Sequence, residues 1–190
     1  SNLISIPSIG VGNLSSGGTG KTVVIDYLIN LLKNEYHIGV LSRGYKRKTI
    51  GLVHVSNASK VYEIGDEPFQ LFKKHPEISM IVAEKRSLGV QNFIDSDLVP
   101  DIILLDDIMQ HRYIKSKIMI LTTTYNLPYF SDTLLPSGNL REPISEKKRA
   151  HIILINKCPN SLSIEKQNIF LNHIKASRNQ SVFFTRINYG

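Results

Sequence analysis

Cysteine is nearly absent from this chain, with Cys158 alone among its 190 residues. A single thiol excludes an internal disulfide framework. No charged-then-apolar leader of the secretory type opens the sequence. We therefore expect a protein of a reducing, cytoplasmic compartment.

Long apolar runs are missing as well. A bilayer-spanning helix needs about 18 or more consecutive apolar residues, and no such run occurs in the sequence. The sequence predicts no membrane span within these residues, and it leaves open a peripheral contact with a membrane surface.

Acidic residues are fewer than basic ones, at 16 against 23, which gives a net charge of +7. An excess of this kind suits polyanions, including nucleic acid, anionic lipid surfaces and phosphorylated ligands. The basic residues lie in short scattered groups, and no basic stripe interleaved with aromatic residues indicates base stacking. We therefore expect no nucleic-acid partner, and weak, salt-sensitive binding to anionic membrane surfaces.

Apolar runs of strand length alternate along the chain with segments of helical period, a repetition typical of βαβ units around a largely parallel sheet. The pattern predicts strands at 5–11, 38–41, 51–55, 78–83, 102–106, 118–121, 151–155 and 181–184, and helices at 21–33, 67–74 and 161–175. With 42% hydrophobic and 21% charged residues, the chain can bury a substantial core. The fold class predicted is α/β, with helices flanking the sheet.

A glycine-rich segment, Gly12 to Thr22, lies between the first predicted strand and the first predicted helix. This is the context of a phosphate-binding P-loop, although Ser15 stands where the usual motif begins with glycine. Backbone N–H groups of such a loop and the helix N-terminus bind phosphate, lysine reaches the β and γ oxygens, and the hydroxyl ligates Mg²⁺. The predicted nucleotide-binding residues are Gly17, Gly18, Thr19, Gly20, Lys21 and Thr22.

Two carboxylates, Asp106 and Asp107, end the apolar run that begins at Ile102. Ligands of α/β sheets bind at the carboxyl ends of the strands, where such acids can hold Mg²⁺. The alternative is a strand end capped by turn-forming aspartate. We favour the metal role because a P-loop precedes the pair.

Four more polar clusters follow predicted strands: Ser42-Arg43-Gly44-Tyr45, Gly65-Asp66-Glu67-Pro68, Gln110-His111-Arg112, and Leu140-Arg141-Glu142-Pro143. Their positions indicate the ligand-binding edge of the sheet. The second and fourth could equally begin helices, with an acidic N-cap before proline.

Together these motifs resemble the tetraacyldisaccharide 4′-kinase family, which phosphorylates the lipid A disaccharide precursor in Gram-negative bacteria. The resemblance runs from Val11 to about Lys157 and includes Leu134-Leu135-Pro136-Ser137-Gly138 ahead of the fourth cluster. It implies a P-loop NTPase-like kinase with ATP and Mg²⁺ as cofactors. It also implies transfer of the γ-phosphoryl group to the 4′-hydroxyl of a tetraacylated glucosamine disaccharide 1-phosphate, at the cytoplasmic face of the inner membrane.

The resemblance also implies roles for single residues. Thr22, Asp106, Asp107 and Glu142 match the metal site, while Lys21, Asp66, His111 and Arg141 match the catalytic site. Asp66 is the expected base, because a carboxylate that binds Mg²⁺ is a poor proton acceptor. For Glu67, Gln110, His111 and Glu142 the resemblance implies a place in the same cleft, and it does not fix the individual role of each residue.

Two features of the family are not found in these residues, namely an N-terminal membrane-anchoring helix and most of a C-terminal lobe. The chain ends at Asn188-Tyr189-Gly190 directly after a predicted strand, as expected of a truncated chain. We expect residues 1–157 to form the nucleotide-binding core and residues 158–190 to begin the second lobe.

Two other readings compete with a kinase. A partitioning or regulatory ATPase would carry lysine where Ser16 stands, so the sequence disfavours it. A GTPase is suggested by Asn156-Lys157, but Pro159 occupies the position of the acid that reads guanine.

Overall fold

The computed structural model describes residues 2–186, so the predicted ending at Asn188-Tyr189-Gly190 lies outside the described residues. The chain forms two compact units. The first comprises the residues up to Val11 together with Thr22–Lys117, and the second comprises Gly12–Lys21 together with the residues from Ile118 onward. The boundary expected between residues 157 and 158 stays a prediction.

The first unit is built on parallel strands. Their order is β2 (Ser8–Gly12), β6 (Ile102–Asp106), β3 (Ile38–Ser42), β5 (Ser79–Val82) and β4 (Val53–His54), and only β4 runs antiparallel to its neighbour. Every residue of β3 is buried, and Ile103, Leu104 and Leu105 of β6 are fully buried. Continuous apolar runs of this kind are expected of strands that are covered on both faces. A short parallel pair, β1 (Asn2–Leu3) with β7 (Ile114–Lys115), completes the unit.

Four helices connect these strands: α1 (Lys21–Leu32), α2 (Val61–Ile64), α3 (Asp66–Lys74) and α4 (Arg86–Ile94). Helix α1 buries Val24, Ile25, Leu28 and Ile29, a spacing that places them on one side of the helix. Helix α4 lies so close to β3 that a Cβ atom on Gly89 would overlap the Leu41 side chain. Glycine is therefore required there by close packing rather than by backbone conformation.

Up to residue 186, the second unit has three parallel strands in the order β8 (Ile118–Thr124), β9 (Ile152–Asn156) and β10 (Ser181–Phe184). Helix α5 (Ile164–Ile174) connects β9 to β10, and its N-cap Ser163 accepts a hydrogen bond from the Lys166 N–H at 3.3 Å. Two 3₁₀ segments, Tyr129–Ser131 and Ile144–Arg149, lie between β8 and β9. The α/β class with a largely parallel arrangement is thus confirmed in both units.

Several predicted elements differ at their ends. The first main strand begins at Ser8 rather than Ser5, because Pro7 lacks the N–H that a sheet ladder needs, although its carbonyl accepts from Ile103 N at 2.9 Å. The strand predicted at 118–121 continues to Thr124. Helix α4 was missed, since its sequence has no clear apolar period and contains Gly89.

The described helices are all too short or too polar to cross a bilayer.

We predict that Gly89→Ala lowers the free energy of unfolding by up to about 2 kcal/mol. The added methyl group overpacks the contact with Leu41, which costs about 1–3 kcal/mol, and the higher helix propensity of alanine offsets about 1 kcal/mol of that cost. Urea unfolding measures it, with Ser87→Ala on the exposed side of the same helix as the control. Equal or greater stability of Gly89→Ala would contradict the tight packing.

Candidate functional site

Hydrogen bonds from side chains of β8 and from the end of β9 hold the P-loop segment Gly12–Lys21 in the second unit. The Thr19 and Thr122 hydroxyls share a hydrogen bond of 2.8 Å. Asn156 Nδ2 donates to the Thr19 carbonyl at 2.7 Å, and Lys157 Nζ donates to the Gly18 carbonyl at 3.0 Å. Since these side chains satisfy loop carbonyls, the loop is held in one conformation before any ligand arrives.

Gly20 makes this bracing possible. Its φ is +87°, and a Cβ atom there would lie 2.8 Å from Asn156 Nδ2. Both the left-handed backbone and the close approach of Asn156 therefore require glycine at this position.

The Asn13 side chain accepts hydrogen bonds from two cations. Its side-chain oxygen accepts from Lys21 Nζ at 3.3 Å and from Arg141 Nη2 at 2.5 Å, and the Asn13 side chain is fully buried. A neutral acceptor can orient a lysine and an arginine without neutralising either one. The predicted catalytic residues Lys21 and Arg141 therefore meet at one residue, whose positioning role the sequence did not reveal.

The Leu140 to Pro143 motif reaches the P-loop through its backbone. Ser16 N donates to the Asn139 carbonyl at 2.6 Å, Arg141 N donates to the Leu14 carbonyl at 2.7 Å, and Ser15 and Leu140 form an antiparallel bridge. This pairing explains how a residue far along the chain presents its guanidinium to Asn13. The neighbouring Glu142 N donates to the same Leu14 carbonyl at 3.3 Å, and the metal role of the Glu142 carboxylate stays a prediction.

In the first unit, Thr22 and three polar residues line a small cavity, namely Ser42, Glu67 and Asp106. The Thr22 hydroxyl donates to Glu67 Oε2 at 2.6 Å, and the Ser42 hydroxyl donates to Asp106 Oδ2 at 3.0 Å. Hydroxyl and carboxylate oxygens are the ligands that Mg²⁺ prefers. These residues therefore fit a magnesium ion, and Glu67 joins the group through a contact that the sequence could not specify.

No cluster of three or more His, Cys, Asp or Glu side chains among residues 2–186 is arranged as a metal-binding cage. Magnesium is commonly held by one or two carboxylates plus waters and substrate phosphates, so the arrangement around Thr22 suits a nucleotide-bound ion better than a resident one.

Asp66 is the first residue of α3, and its carboxylate is exposed. The alternative in which the cluster of Gly65 to Pro68 begins a helix is confirmed, with Asp66 and Glu67 in the first turn, although the N-cap is Gly65 and not an acidic residue. Asp66 lies beside Glu67 in the chain, one residue from the group around Thr22.

A buried arginine, Arg86, contacts the backbone of Asp106, the first residue of the acidic pair Asp106 and Asp107. Arg86 is 1% exposed, and it donates from Nη1 to the Ala83 carbonyl and from Nη2 to the Asp106 carbonyl at 3.1 Å. Burial lowers the pKa of Arg86 to about 10, while Asp106 and Asp107 act in the opposite direction. Arg86 remains charged at neutral pH, and it fixes the end of β6 from which the acidic pair extends.

His111 belongs to the same environment. Burial lowers the pKa of His111 below its ordinary value of 6.5, the charge of Arg86 lowers it further, and Asp107 opposes both. His111 is therefore largely neutral at pH 7, in the form that can accept a proton. Because the folded protein holds this proton less tightly than the unfolded chain, stability falls as the pH drops below 6.5.

The profile of a family described as tetraacyldisaccharide-1-P 4′-kinase matches residues 1–186. Curated tetraacyldisaccharide 4′-kinases from Flavobacterium johnsoniae and Bacteroides thetaiotaomicron are 46% and 41% identical to the whole chain. The chain covers 56% and 50% of those proteins, so it spans about half the length of the curated relatives it matches.

Two solved structures are similar to this chain. The "apo" form of LpxK from Aquifex aeolicus, described as a complex with ATP, has a TM-score of 0.77 at 34% identity over 96% of this chain and 55% of its own. Hydrogenase maturation factor HypB from Archaeoglobus fulgidus has a TM-score of 0.52 at 13% identity, covering 95% of this chain and 81% of its own. The second likeness concerns the fold alone.

We predict that Arg86→Met raises the pKa of His111, because a positive charge that disfavours its protonation is removed. It should also lower the free energy of unfolding by about 3 kcal/mol, since backbone carbonyls lose a buried donor. Titration by NMR of the imidazole nitrogens and urea unfolding measure the two effects.

Arg86→Lys, which keeps the charge, and Lys85→Met, which removes an exposed neighbouring charge, are the controls for this pKa. A His111 pKa that stays the same or falls in Arg86→Met would show that burial alone governs it.

Proposed function

The chain belongs to the tetraacyldisaccharide-1-P 4′-kinase family, and on that premise we propose that it transfers the γ-phosphoryl group of ATP to the 4′-hydroxyl of a tetraacylated glucosamine disaccharide 1-phosphate. The observation that carries the proposal is the pair of cations, Lys21 and Arg141, held on Asn13 at the P-loop. Phosphoryl transfer needs positive charge fixed where the phosphate oxygens will lie, since positioning and electrostatic stabilisation supply most of the catalysis.

The nucleotide would bind through the loop from Gly17 to Thr22. Its N–H groups would donate to the phosphates, and Lys21 would reach the β and γ oxygens. The choice of ATP is supported by the Aquifex aeolicus relative described in complex with it. Pro159 supplies no carboxylate for guanine, which argues against GTP.

Thr22, Asp106 and Asp107 would hold Mg²⁺, with Glu67 beside Thr22 and with Glu142 as a further ligand in our proposal. Bound Mg²⁺ would neutralise charge on the β- and γ-phosphates. Arg86 would keep the acidic pair in place through its bond to the Asp106 carbonyl.

Asp66 is the acid that we assign to proton acceptance from the sugar hydroxyl. It is exposed and fixed at the start of α3, whereas Asp106 accepts from Ser42 and is assigned to the metal. A carboxylate without a metal partner retains its basicity. We also assign His111 to the catalytic group. Its pKa is lowered, so the imidazole is largely neutral at pH 7, and it lies within the influence of the charges of Arg86 and Asp107.

The alternative of a partitioning or regulatory ATPase is not favoured. Its P-loop would carry lysine at Ser16, whereas here Ser16 N pairs with the Asn139 carbonyl. The family match over residues 1–186 also favours a kinase.

The proposal is tested by incubating the purified protein with γ-labelled ATP, Mg²⁺ and the acylated disaccharide 1-phosphate dispersed in detergent. We expect label in the lipid product. Lys21→Ala should reduce the rate by on the order of 10²–10³-fold through lost charge on the phosphates, whereas Lys166→Ala, an exposed lysine of α5, should not. Transfer to water alone, or an undiminished rate in Lys21→Ala, would overturn the proposal.

We predict that Asp66→Asn keeps ATP affinity and lowers kcat by on the order of 10²–10⁴-fold, the usual contribution of a general base. Asp106→Asn should in addition raise the Mg²⁺ concentration needed for half-maximal rate. Calorimetry gives the ATP affinity and steady-state kinetics gives kcat. If Asp66→Asn transfers at the wild-type rate, or loses ATP binding, the base assignment is wrong.

A further inference from the structure

The segment from Arg43 to Tyr62 carries positive charge without any negative charge. It contains five arginines and lysines and no aspartate or glutamate over 20 consecutive residues. It follows β3 and extends through β4 into α2, so it lies entirely within the first unit.

Part of this segment forms one surface because its backbone is paired. Lys48 N donates to the Tyr62 carbonyl at 2.8 Å, and the Thr49 hydroxyl donates to the Glu63 carbonyl at 2.5 Å. We name the exposed side chains that this pairing gathers the basic loop face, consisting of Tyr45, Lys46, Lys48, Ile50, Lys60 and Tyr62.

The basic loop face combines cations with large apolar groups. Ile50 is 92% exposed, Tyr45 68% and Tyr62 49%. Lys46 Nζ lies 5.5 Å from the centre of the Tyr45 ring, and Lys60 Nζ lies 5.9 Å from that of Tyr62. Each lysine thus lies near the aromatic ring of a close neighbour in the chain, and the backbone pairing of Lys48 with Tyr62 brings the two lysine–tyrosine pairs to one surface.

The loop beneath this face is held from inside by Arg47. Its side chain is 2% exposed, and it donates to the carbonyls of Gly51 and Val82 and pairs with Glu84 at 2.5 Å. Residues on either side of Arg47 consequently point outward. A fixed loop loses little conformational entropy when it meets a partner.

Carboxylates near the face are already engaged. Glu63 accepts from Lys60 N at 2.8 Å, and Glu84 pairs with Arg47 and accepts from Gly51 N at 3.0 Å. Arg47 neutralises Glu84, and Lys46, Lys48 and Lys60 together outnumber Glu63, so the basic loop face keeps a net positive charge.

We propose that the basic loop face docks on the headgroup layer of an anionic lipid bilayer, with Ile50 entering the acyl region. Lysines near such a surface are attracted to anionic headgroups, and tyrosine is favoured at the level of the headgroups. A fully exposed isoleucine has an apolar medium to enter in a bilayer and none on a nucleic-acid backbone. The inference rests on the proposed function in one respect, that a lipid substrate would be reached at the membrane.

Flotation with liposomes tests the proposal. One set of vesicles contains neutral phosphatidylcholine alone, and the other contains phosphatidylcholine with roughly 30% anionic phosphatidylglycerol; neither nucleotide nor kinase substrate is present. Each lysine near the surface should strengthen binding by about fivefold. Lys46→Gln with Lys60→Gln should therefore weaken binding to anionic vesicles by on the order of tenfold or more, and Ile50→Ser should weaken it as well. Raising the salt to about 0.5 M should release the wild-type protein, because screening shortens the reach of the lysines.

Matched controls remove the same features elsewhere. Lys166→Gln with Arg178→Gln removes the same charge from the second unit, and Leu98→Ser removes an exposed apolar side chain from the first. Both controls should bind as the wild type does, and thermal unfolding verifies that each variant is folded.

Equal losses in face and control variants would overturn the proposal, as would equal binding to neutral vesicles. Binding of the wild type to single-stranded DNA with no binding to anionic vesicles would overturn it in favour of a nucleic-acid partner. Since the vesicles contain no kinase substrate, these outcomes leave the kinase assay unaffected, and a failed kinase assay leaves vesicle binding measurable.

Discussion

A loop that binds phosphates through its N–H groups must have its carbonyl oxygens satisfied elsewhere, and the second unit is organised around this constraint. The Asn156 side chain donates a hydrogen bond to the Thr19 carbonyl, the Lys157 side chain donates to the Gly18 carbonyl, and the backbone N–H of Arg141 donates to the Leu14 carbonyl. These donors come from the end of β9 and from the segment after β8, so the strands serve to place them. A loop held in this way need not reorganise on binding, which is the condition for effective electrostatic stabilisation.

The first unit uses buried arginines for the same purpose. Arg86 joins the carbonyls of Ala83 and Asp106, at the ends of β5 and β6, and Arg47 joins those of Gly51 and Val82. A guanidinium offers five donors in a rigid planar arrangement, so one side chain can hold two chain segments at a defined spacing. Three of these carbonyls, those of Val82, Ala83 and Asp106, lie at or just after the carboxyl ends of the parallel strands β5 and β6. Both guanidinium groups are buried and donate to backbone carbonyls, which is a structural role.

Motif spacing predicted the fold class and the P-loop because glycine, lysine and apolar periodicity report local backbone requirements. It did not predict Asn13, Arg86 or the contact of Glu67 with Thr22. Each of these depends on residues distant in the chain: Asn13 meets Arg141, Arg86 meets Asp106, and Glu67 meets Thr22. Helix α4 was missed for a related reason, since Gly89 and Arg86 are chosen by packing against β3 and by the carbonyls nearby, and neither follows a helical pattern. The roles given to Asp66, Asp107, His111 and Glu142 stay predictions.

The net charge of +7 alone could not distinguish between partners, and the structure explains why a total is uninformative. Cations in this protein serve three separate purposes. Arg47 and Arg86 are buried and donate hydrogen bonds to backbone carbonyls. Glu84 balances the charge of Arg47, and the acidic pair Asp106 and Asp107 balances that of Arg86. Lys21 and Arg141 both donate to the neutral Asn13 side chain at the P-loop, where phosphate would bind. Only the exposed lysines, such as those beside Tyr45 and Tyr62, are disposed to attract an extended anionic surface. The partner is therefore indicated by which cations are exposed and by which apolar groups accompany them, and the exposed Ile50 on the same surface as Lys46 and Lys60 is the feature that favours a bilayer.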